Sequence, residues 1–179
     1  MKISKAIEER RSIRKFTSQT VDRSILLSLI RAGALAPSAS NAQFWRFIVA
    51  DNQDLVRKLD LYCPGMSGKP TAIIVIASDL EEVASKGSKN SIEYGCMMDA
   101  SMAAENIILQ ALEFGLGTCV IKSYNDGAVR KLLGIPDTLR IEILISVGYP
   151  DGEPRERKRK DLDQILQWNG WNTSDTEGK

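Results

Sequence analysis

The order of apolar and polar residues divides the chain into helical and extended stretches. After Asp22, a residue type that often caps helices, Ile25, Leu26, Leu29 and Ile30 fall on one helical face. Comparable helical stretches recur along the chain, some with a clear apolar face and one apolar on most sides. They predict helices over residues 3–9, 23–36, 53–62, 92–114 and 126–134.

Extended stretches lie between these helices. Residues 71–77 (TAIIVIA) are predicted to form a strand, and their apolar run over 72–77 is typical of a strand covered on both faces. Three more strands are predicted over residues 45–50, 118–121 and 139–148. The chain is therefore predicted to be α+β, with one domain over residues 1–179 that includes an extended arm from about 149 to 179.

The longest predicted helix has no clear polar face. Its middle, CMMDASMAAENIILQALEF, is interrupted mainly by Asp99, Glu105 and Asn106. Such a helix must be covered all round, either by its own domain or by a partner chain. A central core helix and a dimer seam are equally compatible with this pattern.

Composition limits the chemistry that the chain itself can perform. Its 179 residues carry a formal net charge of +1 and include no histidine, which excludes histidine-dependent nucleophile pairs and most zinc or non-haem iron sites. The cysteines Cys63, Cys96 and Cys119 form no CxxC pair. We expect no metal and no catalytic side chain, so an enzyme of this composition would take its reactive group from a cofactor.

The apolar runs do not indicate a membrane protein. The longest, residues 72–77, is far too short to cross a bilayer, and the first residues contain no apolar signal segment. We expect a cytoplasmic protein without a membrane partner.

An arginine cluster near the N-terminus is the first candidate binding segment. Arg10, Arg11 and Arg14 flank Ser12, just after the first predicted helix. Taken alone, such a cluster usually faces water. Guanidinium groups that converge on one concavity instead suit a phosphate, and the Ser12 hydroxyl could serve a neighbouring polar group.

A second basic segment, PRERKRKDL, contains Arg157 and Arg159. A nucleic-acid patch is one interpretation of this run. However, nearby acidic residues dilute its charge, no aromatic stacking platform accompanies it, and the chain is almost neutral. We favour a second phosphate clamp that completes the first one, and we expect no nucleic-acid partner.

Amide and hydroxyl side chains follow the second predicted helix in APSASNAQFWRF. Turn chemistry accounts for Pro37, Ser38 and Asn41, but it explains Gln43 less well. Asn and Gln side chains offer both donor and acceptor atoms, as the edge of a uracil-like ring requires. Two phosphate clamps and an imide-reading loop together describe a docking site for flavin mononucleotide (FMN).

The glycines of FGLGTCVIKSYN invite comparison with a dinucleotide-binding fingerprint. Val120 stands at the third glycine position, and the motif closes a helix instead of following a strand. We reject that interpretation and predict that Gly115 ends the helix. The strand that follows could still pass close to a ligand.

With these segments in place, the sequence resembles the nitroreductase superfamily of FMN-dependent NAD(P)H oxidoreductases. The resemblance spans residues 3–167 and rests on RRSIRKF, APSASNAQFWRF, AAENIILQALEFGLGTCVI and VGYPDGEPRERKRKDLDQIL, in that order. It implies a nitroreductase-like fold, with a central mixed, mainly antiparallel sheet flanked by helices. It also implies a homodimer whose long helices pack together, with FMN in two clefts at the interface.

Matching positions imply which residues contact FMN. The phosphate and the pyrimidine edge would be held by Arg10, Arg11, Ser12 and Arg14, with the phosphate also closed by Arg157 and Arg159. A loop, in part from the partner chain, would approach the flavin through Pro37, Ser38, Ser40, Asn41 and Gln43. A backbone N–H would reach flavin N5 from the strand that contains Val120, Ile121, Lys122 and Ser123.

The implied reaction is ping-pong transfer from NAD(P)H through FMN to a nitroaromatic, a quinone or a related conjugated small molecule. Dehalogenation, enoate reduction and flavin cleavage remain open within the superfamily. An FMN storage or sensor protein without turnover is the alternative. Phe44 and Lys122 depart from residues common in the superfamily, so the acceptor preference is not carried over.

Overall fold

The computed structural model describes residues 2–66 and 68–171. Its helices are α1 (Ile3–Glu9), α2 (Arg23–Ala34), α3 (Gln53–Asp60), α4 (Leu80–Lys86), α5 (Cys96–Glu113) and α6 (Asp126–Leu133). Its strands are β1 (Trp45–Ala50), β2 (Ala72–Asp79), β3 (Gly117–Ile121) and β4 (Leu139–Gly148). The α+β prediction is confirmed.

The four strands form one sheet in the order β1-β2-β4-β3. Each neighbouring pair is antiparallel, and the central pair places Val75 opposite Leu144. A parallel bridge joins Ser12 to Thr118 at the edge strand β3. The sheet is therefore mainly antiparallel, as expected, and this parallel contact lies beside the N-terminal arginine segment.

Both faces of the sheet are covered, which explains the unbroken apolar run of β2. Ile74 and Ile76 pack in a cluster with residues of α2 and α5, whereas Ile73 and Val75 pack in a cluster with residues of α3 and α6. Because successive side chains of a strand point to opposite faces, every residue of such a strand must be apolar. The sheet thus lies between two helical layers.

Polar caps fix several helix ends. The Asp22 carboxylate accepts from the Ser24 N–H at the start of α2, and the Asn125 side chain accepts from the Ala128 N–H at the start of α6. Gly115, just after α5, has a φ of 66°, a left-handed conformation that favours glycine. The predicted helix end at this glycine is confirmed.

Several element boundaries differ from the sequence-based prediction, and one helix was not predicted. Helix α2 ends at Ala34, two residues earlier than predicted, and regular α5 begins at Cys96 after a π-helical turn over Ser91–Gly95. Helix α4 was not predicted, because its seven residues bury only Val83 and show too little periodicity. Asp79 caps this helix by accepting from the Glu82 N–H.

Helix α5 is buried on one face and open on another. Its buried residues include Ala100, Ala103 and Ile107, whereas Met98 and Met102 are exposed. An apolar face without cover in its own chain is typical of a surface that meets a partner.

In the described part of the chain, no helix combines the length and apolar character needed to cross a membrane.

Candidate functional site

The N-terminal arginine segment is fastened to the edge of β3. The Ile13 N–H donates to the Thr118 carbonyl at 2.9 Å, next to the bridge between Ser12 and Thr118. Gly117 permits this approach, because a Cβ atom there would lie only 2.6 Å from Ile13 Cγ1. The segment runs along the strand edge that β4 does not occupy.

The beginning of the C-terminal arm returns along the same segment. The Thr17 N–H donates to the Tyr149 carbonyl at 2.9 Å, and the Asp151 N–H donates to the Lys15 carbonyl at 3.0 Å. Further along the arm, Arg157 Nη1 donates to the Ile7 carbonyl at 3.1 Å. The two basic segments, far apart in sequence, are thereby held side by side.

Their side chains line one cleft of about 250 Å³, here called the arginine cleft. All the arginines predicted to bind the phosphate contribute to it, and so does Ser12. The complete lining is Arg10, Arg11, Ser12, Arg14, Arg155, Glu156, Arg157, Lys158 and Arg159. The predicted convergence of the two basic segments is present in the structure.

The positive charge of the arginine cleft is only weakly compensated. Arg11 Nη1 donates to the Glu8 carbonyl at 2.7 Å, and Arg159 Nη1 donates to the Lys158 carbonyl at 3.0 Å, so both are held by neutral groups. Among the described residues, the arginine cleft has one ion pair, in which Arg10 Nε lies 3.7 Å from Glu105 Oε1. A bound anion would supply the missing negative charge.

A larger apolar cleft of about 640 Å³ lies between α5 and the ends of β3 and β4. Its polar lining residues are Ser101, Glu105, Lys122 and Glu142, and Tyr124 also lines it. Its apolar walls include Met97, Ala104, Ile108, Val120, Ile141 and Ile143. Because Glu105 lines this cleft and pairs with Arg10, the apolar cleft adjoins the arginine cleft.

The strand edge between the clefts presents backbone groups. The Thr118 carbonyl faces the Ile13 N–H, away from β4. Backbone polar groups alternate sides along an antiparallel strand, so the N–H and C=O of Val120 face the same free edge. Val120 itself lines the apolar cleft.

The strand residues predicted to approach the flavin lie at this cleft or next to it. Val120, Ile121 and Lys122 line the apolar cleft, and Ser123 lines a separate cleft.

The loop over residues 37–43, here called the amide loop, follows α2 and is held by internal hydrogen bonds. Gln43 Nε2 donates to Asn41 Oδ1 at 3.0 Å, and the Gln43 N–H donates to Ser38 Oγ at 3.1 Å. Ser40, Asn41 and Gln43 have φ values of 52°, 55° and 54°. Left-handed conformations of non-glycine residues cluster at functional sites, so this geometry marks the loop as a candidate binding element.

The amide loop and the arginine cleft contact α5 at different positions along the helix axis. The Ala39 N–H donates to both oxygens of Asp99, at 3.3 and 3.4 Å, whereas Arg10 meets α5 at Glu105. Six residues of helix correspond to about 9 Å along the axis. The arginine cleft and the apolar cleft are lined by other parts of the chain, so Pro37, Ser38, Ser40, Asn41 and Gln43 do not join them within one protomer.

Asp99 is a buried carboxylate that the sequence analysis noted only as an interruption of the apolar helix. Burial raises its pKa above the usual value of 3.8, and the hydrogen bond from Ala39 opposes this shift. Its position on an otherwise apolar helix face was the signal that it holds a neighbouring segment.

Arg155 and Glu105 were also missed as parts of the site, since neither stands out from surrounding charged residues.

The sequence profile of the nitroreductase family matches residues 7–65 and 60–149. The chain belongs to the nitroreductase family. A relative in Archaeoglobus fulgidus, for which the names NADH dehydrogenase and NAD(P)H nitroreductase are proposed, is 34% identical over 83% of this chain and 86% of its own. This relative therefore resembles the chain along most of its length.

Solved structures show the same relationship. An FMN-dependent nitroreductase from Clostridium difficile R20291 is 31% identical, with a TM-score of 0.76 over 93% of this chain and 98% of its own. The nitroreductase family protein of Clostridium novyi NT is 29% identical, with a TM-score of 0.74 over 84% and 87%. The nitroreductase-like fold expected from the sequence is confirmed.

Proposed function

We propose that this protein is an FMN-dependent oxidoreductase that uses NAD(P)H to reduce nitroaromatics, quinones or related conjugated acceptors. The observation that carries the proposal is the arginine cleft, which gathers residues 10–14 and 155–159 beside an apolar cleft. A phosphate-bearing ligand with a flat apolar ring matches this pair of clefts. The name of the Clostridium difficile relative, an FMN-dependent nitroreductase, supports the same cofactor.

The residues of the described chain fit FMN in three respects. The arginine cleft has more cations than carboxylates, as a phosphate site needs. The apolar walls of the adjoining cleft include Ile108, Val120 and Ile143, which suit an aromatic ring. The free N–H of Val120 is a donor at the edge of that cleft, where a ring nitrogen could accept from it. When bound, FMN supplies hydride acceptance from NAD(P)H and electron transfer to an acceptor.

The protein's own part in such a reaction is binding and electrostatics. Arg14 would hold negative charge on the pyrimidine side of the ring and so favour the reduced cofactor. The apolar walls would exclude water from the ring, and the space above it would admit the donor and the acceptor in turn. No side chain needs to act as a nucleophile, in keeping with the absence of histidine from the sequence.

We also propose a homodimer in which the amide loop of one protomer completes the site of the other. The exposed methionines of α5 offer an apolar surface, and the loop lies away from the clefts of its own chain. A two-fold axis would pack the α5 helices of the two protomers against each other through the same face. It would also give two equivalent sites. This arrangement would place Ser38, Ser40, Asn41 and Gln43 against the partner's FMN.

Reductive dehalogenation is a second candidate reaction for the same site. The iodotyrosine deiodinase of Mus musculus is 26% identical over 89% of this chain, which spans 67% of the deiodinase. The reaction would use the same cofactor position and a halogenated aromatic acceptor. It is therefore tested with the same protein preparation as nitro reduction.

The test is an absorption spectrum of the purified protein before and after anaerobic addition of NADH or NADPH. The expected result is two oxidised-flavin bands that bleach, followed by their return when a nitroaromatic, a quinone or an iodinated phenol is added. The reaction is identified by the acceptor that restores the bands and is itself reduced in molar excess over the protein.

Two other results would change the assignment. Bands that persist in the presence of both nicotinamide donors would indicate flavin storage or sensing without turnover. A colourless protein that does not take up added FMN would contradict the proposed function. Mass spectrometry of the extracted cofactor distinguishes FMN from riboflavin and from a dinucleotide.

A further inference from the structure

Lys122 stands between two clefts at the end of β3. It lines the apolar cleft and also a second cleft of about 500 Å³, here called the tyrosine cleft. Tyr124 lines both clefts as well, and Tyr62 lines the tyrosine cleft. The Tyr62 carbonyl accepts from the Asn125 N–H at 2.8 Å, so the two walls of the tyrosine cleft are held together by the backbone.

The charge of Lys122 is not compensated by the carboxylates of the apolar cleft. Glu142 is almost completely buried and accepts from Arg140 Nε at 2.8 Å, and Glu105 pairs with Arg10 at 3.7 Å. Among residues 2–66 and 68–171, Lys122 has no ion pair. Each carboxylate that lines the cleft therefore has an arginine partner, and the lysine contributes a net positive charge.

A lone cation at the edge of an apolar cleft selects for a particular kind of ligand. Apolar walls favour a flat conjugated body, and an ammonium group on a flexible stem reaches an anionic substituent as a point charge. We propose that Lys122 makes this protein prefer conjugated acceptors that carry a carboxylate or phenolate. This inference rests on the proposed function, because it assigns the acceptor class of the same site.

The kinetic test compares two acceptors of the same shape, para-nitrobenzoate and para-nitrobenzamide. In each reaction NAD(P)H and a proton reduce the nitro group to a nitroso group, with release of NAD(P)⁺ and water. The measured quantity is the ratio of kcat/KM for the anionic acceptor to that for the neutral acceptor. We expect the wild-type ratio to exceed that of Lys122→Met by about fivefold, the upper range for an exposed ion pair.

Two further variants sharpen the test. Lys122→Glu should lower the ratio below that of Lys122→Met, since like charges repel. Lys131→Met removes one exposed lysine of α6 outside both clefts and should keep the wild-type ratio. The wild-type preference should also decrease as the ionic strength rises, because salt screens an exposed pair.

A binding measurement supplies a readout that is independent of turnover. Calorimetry with benzoate and benzamide should show tighter benzoate binding to the wild type, and equal binding of the two to Lys122→Met. An unchanged kcat/KM ratio in Lys122→Met, with unchanged benzoate binding, would overturn the proposal. So would a loss confined to the NAD(P)H half-reaction, because Lys122 would then bind the donor.

The outcomes separate this inference from the proposed function. If the wild type reduces both acceptors and the lysine variants do not alter their ratio, the oxidoreductase proposal stands and the charge selection is wrong. If no variant reduces either acceptor, the oxidoreductase proposal fails. In that case the benzoate titration still decides whether Lys122 selects an anion.

Discussion

The Ile13 N–H donates to the Thr118 carbonyl at 2.9 Å, and this bond fixes the arginine segment against β3. The segment can lie this close because residue 117 has no side chain, and a Cβ atom there would meet Ile13 Cγ1 at 2.6 Å. A methyl group at position 117 would push the backbone of residues 11–13 outward. The arginine cleft and the strand edge are therefore one coupled unit.

Gly117→Ala should accordingly weaken FMN binding and destabilise the fold by about 1–3 kcal/mol, the usual cost of overpacking. Thermal unfolding and an FMN titration measure the two effects. Gly127→Ala is the matched control, because a Cβ atom there meets only Asn125 Oδ1, at 3.7 Å. Equal FMN affinity in both variants would show that the arginine segment does not depend on this contact.

The double variant Arg10→Ala, Arg159→Ala tests whether the arginine cleft binds the phosphate. Two lost charge-assisted contacts correspond to roughly 3 kcal/mol or more, so FMN should bind at least about 100-fold more weakly. Riboflavin, which has the ring without the phosphate, should be affected much less. Fluorescence titrations with both flavins give the comparison.

A matched control removes two arginines elsewhere. Arg31→Ala, Arg57→Ala takes two exposed arginines from α2 and α3 and should leave both affinities unchanged. The double variant of the arginine cleft should also keep the oligomeric state of the wild type. If FMN and riboflavin lose the same affinity in it, the cleft does not serve the phosphate.

The sequence was sufficient for most of the fold because apolar spacing and caps are local signals. The continuous apolar run over residues 72–77 predicted a doubly covered strand, and Ile73 and Ile74 indeed pack on opposite faces. Helix α4 was missed because one buried residue, Val83, gives no period. The π-helical turn before α5 was missed because it uses residues that also suit an ordinary helix.

The site could be predicted only in part, because its geometry depends on long-range contacts. Charge alone suggested that residues 10–14 and 157–159 cooperate, and the structure places them in one cleft. The role of Thr118 as the anchor of residues 12 and 13 depends on a backbone pairing that no side-chain pattern reports. The distance between the amide loop and the clefts also required the structure, since it follows from the contact of Asp99 with Ala39.

The exposed face of α5 gives a prediction about assembly. Met98→Asp would place a carboxylate in the proposed interface, where loss of its hydration is costly. We expect dissociation of the dimer to become at least about 100-fold easier, measured by sedimentation velocity over a range of concentrations. FMN affinity should fall in parallel, because the amide loop of the partner is lost.

Leu61→Asp is the control for this charge. Leu61 is an exposed apolar residue that follows α3, and α3 packs on the opposite face of the sheet from α5. Its replacement should leave the sedimentation coefficient unchanged. A Met98→Asp protein that stays dimeric at micromolar concentration would exclude this face as the interface.

The buried carboxylate of Asp99 gives a prediction about pH. Burial raises its pKa above 3.8, so the folded protein favours the protonated form more than the unfolded chain does. The stability from this preference is fully present below pH 3.8 and is lost as pH rises through the folded pKa. At pH 7 the ionised group therefore costs stability. Asp99→Asn keeps an oxygen that can accept from the Ala39 N–H and removes the charge.

The free energy of unfolding of Asp99→Asn should accordingly exceed that of the wild type at pH 7. The difference should shrink as pH falls and vanish below pH 3.8, where Asp99 is neutral in both states. Urea unfolding at a series of pH values measures it, with Asp137→Asn at an exposed position as the control for the loss of one charge. A variant less stable than the wild type at pH 7 would show that ionised Asp99 stabilises the loop. Its hydrogen bond to Ala39 would then outweigh the cost of burial.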